Sequence, residues 1–154
     1  KVYEAKQGLT ADWADKLDLD PGPSFHFALN NSIVSDNRIP PRGYAFAEYE
    51  ANQAAPYTNS QPDSTMYADG QYWDTTTYTL PEEGAWGNVR LVYQTASKEY
   101  IEFLRDNNPN PGQNRGEILF DLWKQTGRSA PELMVGARFG QDYCWLFLPS
   151  VTRP

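Results

Sequence analysis

Residues 71–95 run QYWDTTTYTLPEEGAWGNVRLVYQT, and this stretch decides the fold class that the sequence predicts. Its first part, residues 71–80, is rich in threonine and aromatic side chains, which favour the extended conformation of a β-strand. Residues 81–84 then predict a turn, because proline fixes φ and glycine accepts positive φ. Apolar and polar side chains alternate along residues 88–95, as they do in a half-buried strand. We therefore predict an antiparallel hairpin here.

Further strands are predicted on both sides of this hairpin. Residues 2–6 form a short candidate, and residues 25–29 (FHFAL) and 44–50 (YAFAEYE) alternate between two faces. Residues 143–148 (YCWLFL) form a continuous apolar run, which is typical of a strand that is buried on both faces. The sequence is therefore expected to be dominated by short strands.

Three other segments carry helical signals. Residues 10–17 can form a short helix whose first residue, a threonine, is placed to cap it. Ser97 can cap a second helix that continues to about residue 105. Residues 117–126 carry apolar side chains at helical spacing, and Gly127 stands where a glycine commonly ends a helix. The predicted fold class is mainly β, an antiparallel β-sandwich-like domain with a short two-helix insertion.

The length and charge of the chain limit what it can do. Its 154 residues predict a single domain, 1–154, and the net charge of −7 repels nucleic acid and anionic membrane surfaces. No apolar run is long enough to span a bilayer. The single cysteine, Cys144, excludes an internal disulfide and a CxxCH site for covalent haem. The low charge content and the many amide, threonine and tyrosine side chains suit a periplasmic or extracellular protein.

His26 is the only histidine of the chain and the first candidate for chemistry. One imidazole is enough to serve as an axial haem ligand, so His26 is a candidate for contact with a haem in another chain or domain. General-base catalysis would need an orienting carboxylate and a nucleophile, and no spacing in the sequence points to either. The alternative is a partly exposed strand histidine with an ordinary hydrogen bond.

Carboxylates and aromatic side chains cluster around residues 63–86. Calcium takes six to eight oxygen ligands, and turn-rich acidic segments can supply some of them. Exposed aromatic rings can stack on sugars, whereas a core rich in tyrosine and tryptophan is the alternative for each ring. A solvated acidic loop is likewise the alternative to a metal site. The calcium candidates are Asp63, Asp69 and Asp74, and the candidates for ligand stacking are Tyr67, Tyr72, Trp73 and Trp86.

Residues 36–44 (DNRIPPRGY) form the most distinctive string of the chain. Two prolines stiffen it, and Gly43 allows a sharp change of direction after them. Arg38 can brace the loop through a two-nitrogen contact with a carboxylate, for which Asp36 is one candidate. Nothing in the string activates a nucleophile or binds phosphate, so it is predicted to be a structural device.

The order of several strings resembles the C-terminal, haem-free β-sandwich-like region of bacterial multihaem cytochrome c family proteins. These strings are residues 2–4 (VYE), 36–43 (DNRIPPRG), 67–70 (YADG), 89–95 (VRLVYQT) and 99–104 (EYIEFL). Proteins of that family carry their CxxCH haem sites in an N-terminal part, and this chain has none. A Gly-His-x-Phe-Pro-Thr-Gly element that precedes these strings in the family is also absent, so the chain is expected to be the latter part of a larger sandwich, with an exposed sheet edge or apolar face.

The resemblance implies a non-catalytic packing or docking domain of a periplasmic or extracellular electron-transfer protein. Its partner would be a haem-bearing cytochrome domain or subunit, or a second copy of the chain, and no catalytic residue is carried over. The alternative is a carbohydrate-binding β-sandwich module, which predicts two or three coplanar exposed aromatic rings near residues 67–86 and calcium held by the nearby aspartates. A hydrolase would require two carboxylates that face each other across a cleft.

Overall fold

A computed structural model of the chain describes residues 1–80, 86–108 and 112–140, which form two compact units, Lys1–Thr77 and Tyr78–Pro154. All strand pairs in the described residues are antiparallel, as the sequence predicts. Helix and strand occupy nearly equal shares of the described residues, about 25% and 24%. The single domain that the length suggests stays a prediction. The predicted strand at residues 143–148 and the predicted turn at 81–84 lie outside the described residues.

The first unit contains five strands and two helices. In chain order these elements are β1 (Ala5–Leu9), α1 (Ala11–Leu17), β2 (Gly22–Pro23), β3 (Ser32–Asp36), α2 (Phe46–Ala51), β4 (Tyr57–Thr58) and β5 (Gln61–Pro62). The strands form one antiparallel sheet in the order β2-β1-β3-β4-β5. Strands β1 and β3 pair in a ladder with one irregularity between Lys6 and Gln7.

Gly8 explains how tightly β2 lies on β1. A Cβ atom at residue 8 would meet the carbonyl oxygen of Gly22 at 2.1 Å and the Cγ2 atom of Val34 at 2.9 Å. Only glycine leaves room for this approach of two backbones. The buried side chains of the first unit begin next to this contact, and they include Leu9, Ala14, Asp36, Tyr44, Ala55 and Tyr67.

The second unit contains β6 (Gly87–Tyr93), α3 (Lys98–Asp106), α4 (Arg115–Gln125) and β7 (Glu132–Phe139). The strands β6 and β7 form a two-stranded antiparallel ribbon, and the two helices lie between them in the chain. The two-helix insertion is therefore confirmed. Both helices begin where the sequence supplies a cap, because Ser97 accepts a hydrogen bond from the Tyr100 N–H and Asn114 accepts one from the Glu117 N–H.

The two helices approach each other at Gly116. A Cβ atom there would lie 1.9 Å from the carbonyl oxygen of Leu104 and 2.8 Å from the Cα atom of Arg105. Helix α4 ends as predicted, since Gly127 follows it with a positive φ of 88°. Trp123 and Ile101 are the large buried side chains of this unit among the described residues.

Two of the predicted strands are wrong because local hydrogen bonds favour other structures. Residues 25–29 form a turn rather than a strand, since the N–H groups of Leu29 and Asn30 both donate to the carbonyl of His26, at 2.8 and 3.2 Å. Within residues 44–50 the chain enters helix α2 instead. The N–H of Phe46, in the first turn of this helix, donates to the Asp69 carboxylate at 2.7 Å, and alanine and glutamate favour the helix that follows.

The predicted hairpin is half right. Residues 88–95 are largely in β6, but residues 71–80 form no strand, and the partner of β6 is β7. In residues 71–80 side chains form hydrogen bonds with backbone groups that would otherwise pair with a neighbouring strand. The Gln71 side-chain amide donates to the Trp73 carbonyl, and the Asp74 carboxylate accepts a hydrogen bond from the Thr75 N–H. Competition of this kind from short polar side chains is common.

Candidate functional site

The β6–β7 ribbon has one apolar face that is open to solvent. In the ladder Gly87 lies opposite Phe139, Val89 opposite Ala137, and Leu91 opposite Val135. Because side chains alternate along a strand, these three pairs share one side of the ribbon. We call the surface formed by the five non-glycine residues, Val89, Leu91, Val135, Ala137 and Phe139, the apolar ribbon face.

A groove of about 340 Å³ runs along the apolar ribbon face and also touches Gly136 and Arg138. Val89, Leu91 and Val135 are each between 41% and 51% exposed. Phe139 lies over the backbone of Gly87, where a Cβ atom would come within 2.8 Å of the ring. An isolated two-stranded ribbon is marginally stable in water, so an apolar face of this kind requires a covering layer. The described residues leave this apolar face open to solvent, and the larger sandwich of which it would be part stays a prediction.

Helix α4 presents a second apolar surface. Ile118, Leu119 and Leu122 lie at positions i, i+1 and i+4, which share one side of a helix, and they are between 39% and 60% exposed. Gly116 and Trp123 are buried on the same helix, so α4 is held against α3 while this stripe remains open. We call the three residues the α4 stripe. Its side chains can bind only by burying apolar area against another surface.

A mixed groove of about 320 Å³ lies in the first unit. It is lined by the ion pair of Asp36 and Arg38, by Tyr49 and by three prolines, Pro40, Pro41 and Pro56, together with other residues. The carboxylate of Asp36 is bound by Arg38 through two nitrogens, as the sequence predicts. A carboxylate held in this way is an anchor for the loop and is not positioned as a general base.

His26 is exposed and lies in a turn, not on a strand. The backbone N–H of His26 donates to the Ser24 hydroxyl at 3.0 Å. The backbone carbonyl of His26 accepts hydrogen bonds from the N–H groups of Leu29 and Asn30, which close the turn. Among the described residues no group of three histidine, cysteine or acidic side chains gathers around it or elsewhere in a metal-binding arrangement. The backbone role of residue 26 is therefore structural, and its imidazole remains at the surface.

The predicted aromatic platform does not form in the first unit. Tyr67 is only 3% exposed, and its hydroxyl donates to the Asn37 carbonyl at 2.9 Å, so it belongs to the core. Tyr72 and Trp73 are exposed but meet edge to face, with ring planes at 89° and centroids 5.2 Å apart. Arg42 covers the Tyr72 ring at 5.0 Å. Trp86 is 81% exposed and belongs to the second unit.

The three predicted calcium ligands are each engaged separately. Asp63 accepts hydrogen bonds from Thr58 and Thr65, and Asp69 accepts one from the Phe46 N–H. Asp74 accepts bonds from the side chains of Lys1 and Tyr3, and the bond from Lys1 lowers its pKa most. Residues 63, 69 and 74 do not form a cation-binding group in the part of the chain that the structure describes. Each aspartate is engaged in a separate contact instead: Asp63 in a local turn, and Asp69 and Asp74 with residues far away in the chain.

Two buried tyrosines differ in how their hydroxyl groups are satisfied. Burial is the main cause that raises the pKa of both Tyr44 and Tyr67. The Tyr67 hydroxyl has its carbonyl partner, whereas the Tyr44 hydroxyl is buried without a hydrogen-bond partner among the described residues. The Tyr44 ring packs edge to face on Tyr49 at 5.0 Å. The burial of both rings gave no signal in the sequence beyond their aromatic character.

None of the residues of the two apolar surfaces was among the site residues predicted from the sequence. The alternation of residues 89–93 and the helical spacing of residues 118–122 were visible, but neither pattern shows whether its apolar side is covered. None of the described helices is long and apolar enough to cross a membrane. No family model, curated protein or solved structure matches the chain.

Proposed function

We propose that this chain is a non-catalytic packing and docking module of a periplasmic or extracellular electron-transfer protein. Its partner is a haem-bearing domain or subunit of the multihaem cytochrome c type, as the sequence resemblance implies. The chain itself holds no covalent haem, because it has one cysteine. The observation that carries the proposal is the α4 stripe, an exposed apolar surface on a helix that is already packed against α3 at Gly116.

The energetics of the α4 stripe favour association over catalysis. Burying half-exposed leucine and isoleucine side chains gains about 25 cal/mol for each Å² of apolar area removed from water. Ile118 and Leu122 are 60% and 51% exposed, so more than half of their surface is still available to be buried on binding. Large exposed apolar patches on stable proteins mark interaction sites.

The β6–β7 ribbon supports the finer architecture that we propose, an antiparallel β-sandwich. In a sandwich each sheet turns an apolar face inwards and a polar face outwards. The ribbon has this division: the apolar ribbon face is on one side, and Asn88, Arg90 and Arg138 stand at the alternate positions. In this proposal the ribbon is one layer of the sandwich.

The experiment is the visible absorption spectrum, oxidised and dithionite-reduced, of the polypeptide isolated natively from its source. We expect a Soret band that accompanies the polypeptide in fixed ratio, carried by the partner domain or subunit. A colourless, monodisperse protein would contradict the proposed function. Binding of a glycan, detected by tryptophan fluorescence, would then favour the carbohydrate-binding alternative.

A matched pair of variants connects the spectrum to the α4 stripe. Leu122→Ser removes an apolar side chain from the α4 stripe. Lys124→Ser is the control, because it also shortens an exposed side chain to serine, two residues along the same helix. Leu122→Ser should lose the haem-bearing partner during isolation, whereas Lys124→Ser should retain it. Equal retention in both variants would show that α4 is not the docking surface.

A further inference from the structure

The mixed groove of the first unit has rigid walls. Three of its lining residues are prolines, Pro40, Pro41 and Pro56, and the proline ring fixes φ. The Asp36–Arg38 ion pair holds the loop that carries two of these prolines. With a volume of about 320 Å³, the groove is as large as a small ligand-binding site. Because its walls are already ordered, a ligand that enters it causes little further loss of conformational entropy.

The side-chain hydrogen-bonding groups that remain free in the mixed groove are donors. Arg38 uses Nε and Nη2 for the Asp36 carboxylate, and its third nitrogen, Nη1, makes no hydrogen bond with the described residues. Within the same part of the chain the hydroxyl of Tyr49, another lining residue, has no hydrogen-bond partner. The Asp36 carboxylate already accepts N–H groups from the side chain and the backbone of Arg38. The groove therefore suits a ligand that brings acceptors.

The charges at the mixed groove favour an uncharged ligand. Nη2 of Arg38 lies 2.5 Å from Oδ2 of Asp36, so the positive charge of the guanidinium is balanced within the groove. The chain has a net charge of −7, which repels anions at long range. A cation gains little, because the Asp36 side chain is only 8% exposed and is already paired with Arg38. A neutral ligand rich in acceptors remains.

We propose that the mixed groove binds a proline-rich peptide segment in the polyproline II conformation. That conformation has no internal hydrogen bonds, so its carbonyl groups can accept from Nη1 of Arg38 and from the Tyr49 hydroxyl. Proline has no N–H group, so its burial in the groove leaves no donor unsatisfied. Its ring packs against the tyrosine and proline walls, as in other grooves that bind such segments. A sugar would instead bring hydroxyl donors, for which the groove has few free side-chain acceptors.

The test is fluorescence anisotropy with fluorescein-labelled decaproline, which adopts the polyproline II conformation. A labelled glycine-serine peptide of the same length is the control, because it is flexible and has no rings. We expect saturable binding of decaproline at least about tenfold tighter than that of the control, since the preformed helix loses less entropy on binding. Equal affinity of the two peptides, or no saturation of decaproline at about 1 mM, would overturn the proposal.

A matched pair of variants locates the peptide. Ala54 is exposed and lines the mixed groove, whereas Ala51 is exposed at the end of helix α2 and is not part of the lining. Ala54→Glu puts a carboxylate where the peptide would cover it, and burying that charge is unfavourable. Ala54→Glu should weaken decaproline binding about tenfold or more, and Ala51→Glu should change it less than about twofold. Equal affinities in both variants would place the peptide elsewhere and overturn the proposal.

A second pair tests the hydrogen bond from Tyr49. Tyr49→Phe keeps the ring and removes the hydroxyl, so decaproline should bind about threefold to tenfold more weakly. Tyr72→Phe makes the same change at an exposed tyrosine outside the lining and should keep the affinity of the parent chain. Binding of a labelled oligosaccharide that Ala54→Glu abolishes, without binding of decaproline, would assign the groove to sugars and overturn the proposal. The inference does not depend on a haem-bearing partner, which we assign to the α4 stripe of the second unit.

Discussion

Arg38 holds the buried carboxylate of Asp36 from outside the sheet of the first unit. Its Nε donates to Oδ1 at 2.9 Å, its Nη2 donates to Oδ2 at 2.5 Å, and its backbone N–H donates to Oδ1 at 3.1 Å. The Asp36 side chain is 8% exposed, whereas that of Arg38 is 65% exposed. Asp36 ends strand β3 and pairs with both Ala5 and Tyr57. The pair therefore fixes the direction in which the chain leaves the sheet.

Removing the arginine should cost more than an exposed ion pair normally contributes. In Arg38→Ala the carboxylate of Asp36 stays buried and keeps only the backbone N–H bond to Oδ1, and leaving its Oδ2 unsatisfied costs about 1–3 kcal/mol. Urea unfolding followed by tryptophan fluorescence measures the loss. Arg42→Ala, four residues along the same loop, removes an exposed side chain that lies over Tyr72 and should cost at most about 1 kcal/mol. Equal losses would show that the Asp36 contact adds nothing.

Gly116→Ala should destabilise the second unit, although alanine is normally the better helix former. In an open helix the change would gain about 1 kcal/mol. Here the new methyl group would overlap the carbonyl of Leu104, so α3 and α4 must separate at a cost of about 1–3 kcal/mol. Gly112→Ala is the matched control, because a Cβ atom at residue 112 meets nothing within 4 Å. Thermal unfolding of both variants tests this, and a stabilised Gly116→Ala would contradict the helix contact.

Asp63 should titrate below the ordinary range of an aspartate. The Thr65 hydroxyl is the largest cause that lowers the pKa of Asp63, followed by the Thr65 N–H and the Thr58 hydroxyl. Since the folded pKa lies below the unfolded one, the stabilisation is complete above the unfolded pKa and is lost as pH falls through the folded pKa. Thr65→Ala should raise the pKa of Asp63, and Ser64→Ala should leave it unchanged. Carbon NMR of the carboxyl groups measures both.

The sequence patterns that were correct are those with local causes. Helices α3 and α4 follow from their own caps and apolar spacing, and Ser97 and Gly127 mark their limits as expected. The alternation of residues 88–95 also identified a real strand. Each of these signals involves residues within about one or two turns of each other, so it survives in the folded chain.

The predictions that failed depended on contacts between distant residues. Helix α2 begins where Asp69, more than twenty residues away, accepts the Phe46 N–H, and no local pattern shows this bond. Strand β6 pairs with β7 across the two helices rather than with residues 71–80. Tyr67 failed as a stacking candidate for the same reason: its burial depends on Asn37, which the chain brings to it only on folding. Composition gives the number of aromatic rings but not their burial.

The two buried tyrosines give the sharpest comparison, because they differ mainly in one hydrogen bond. Tyr44 is 2% exposed and Tyr67 is 3% exposed, so the loss of either hydroxyl changes little apolar burial. Tyr67→Phe leaves the Asn37 carbonyl without its donor and should cost about 1 kcal/mol. Tyr44→Phe removes a hydroxyl that has no partner in the described part of the chain, so it should be neutral or stabilising.

Urea unfolding of the two phenylalanine variants beside the parent chain measures both free energies of unfolding. Because the substitution is the same and both sites lie in the first unit, differences in the unfolded state largely cancel. If Tyr44→Phe were as costly as Tyr67→Phe, the Tyr44 hydroxyl would have a partner in solution. An ordered water is the simplest such partner, since a buried polar group is normally satisfied in that way when no protein atom serves.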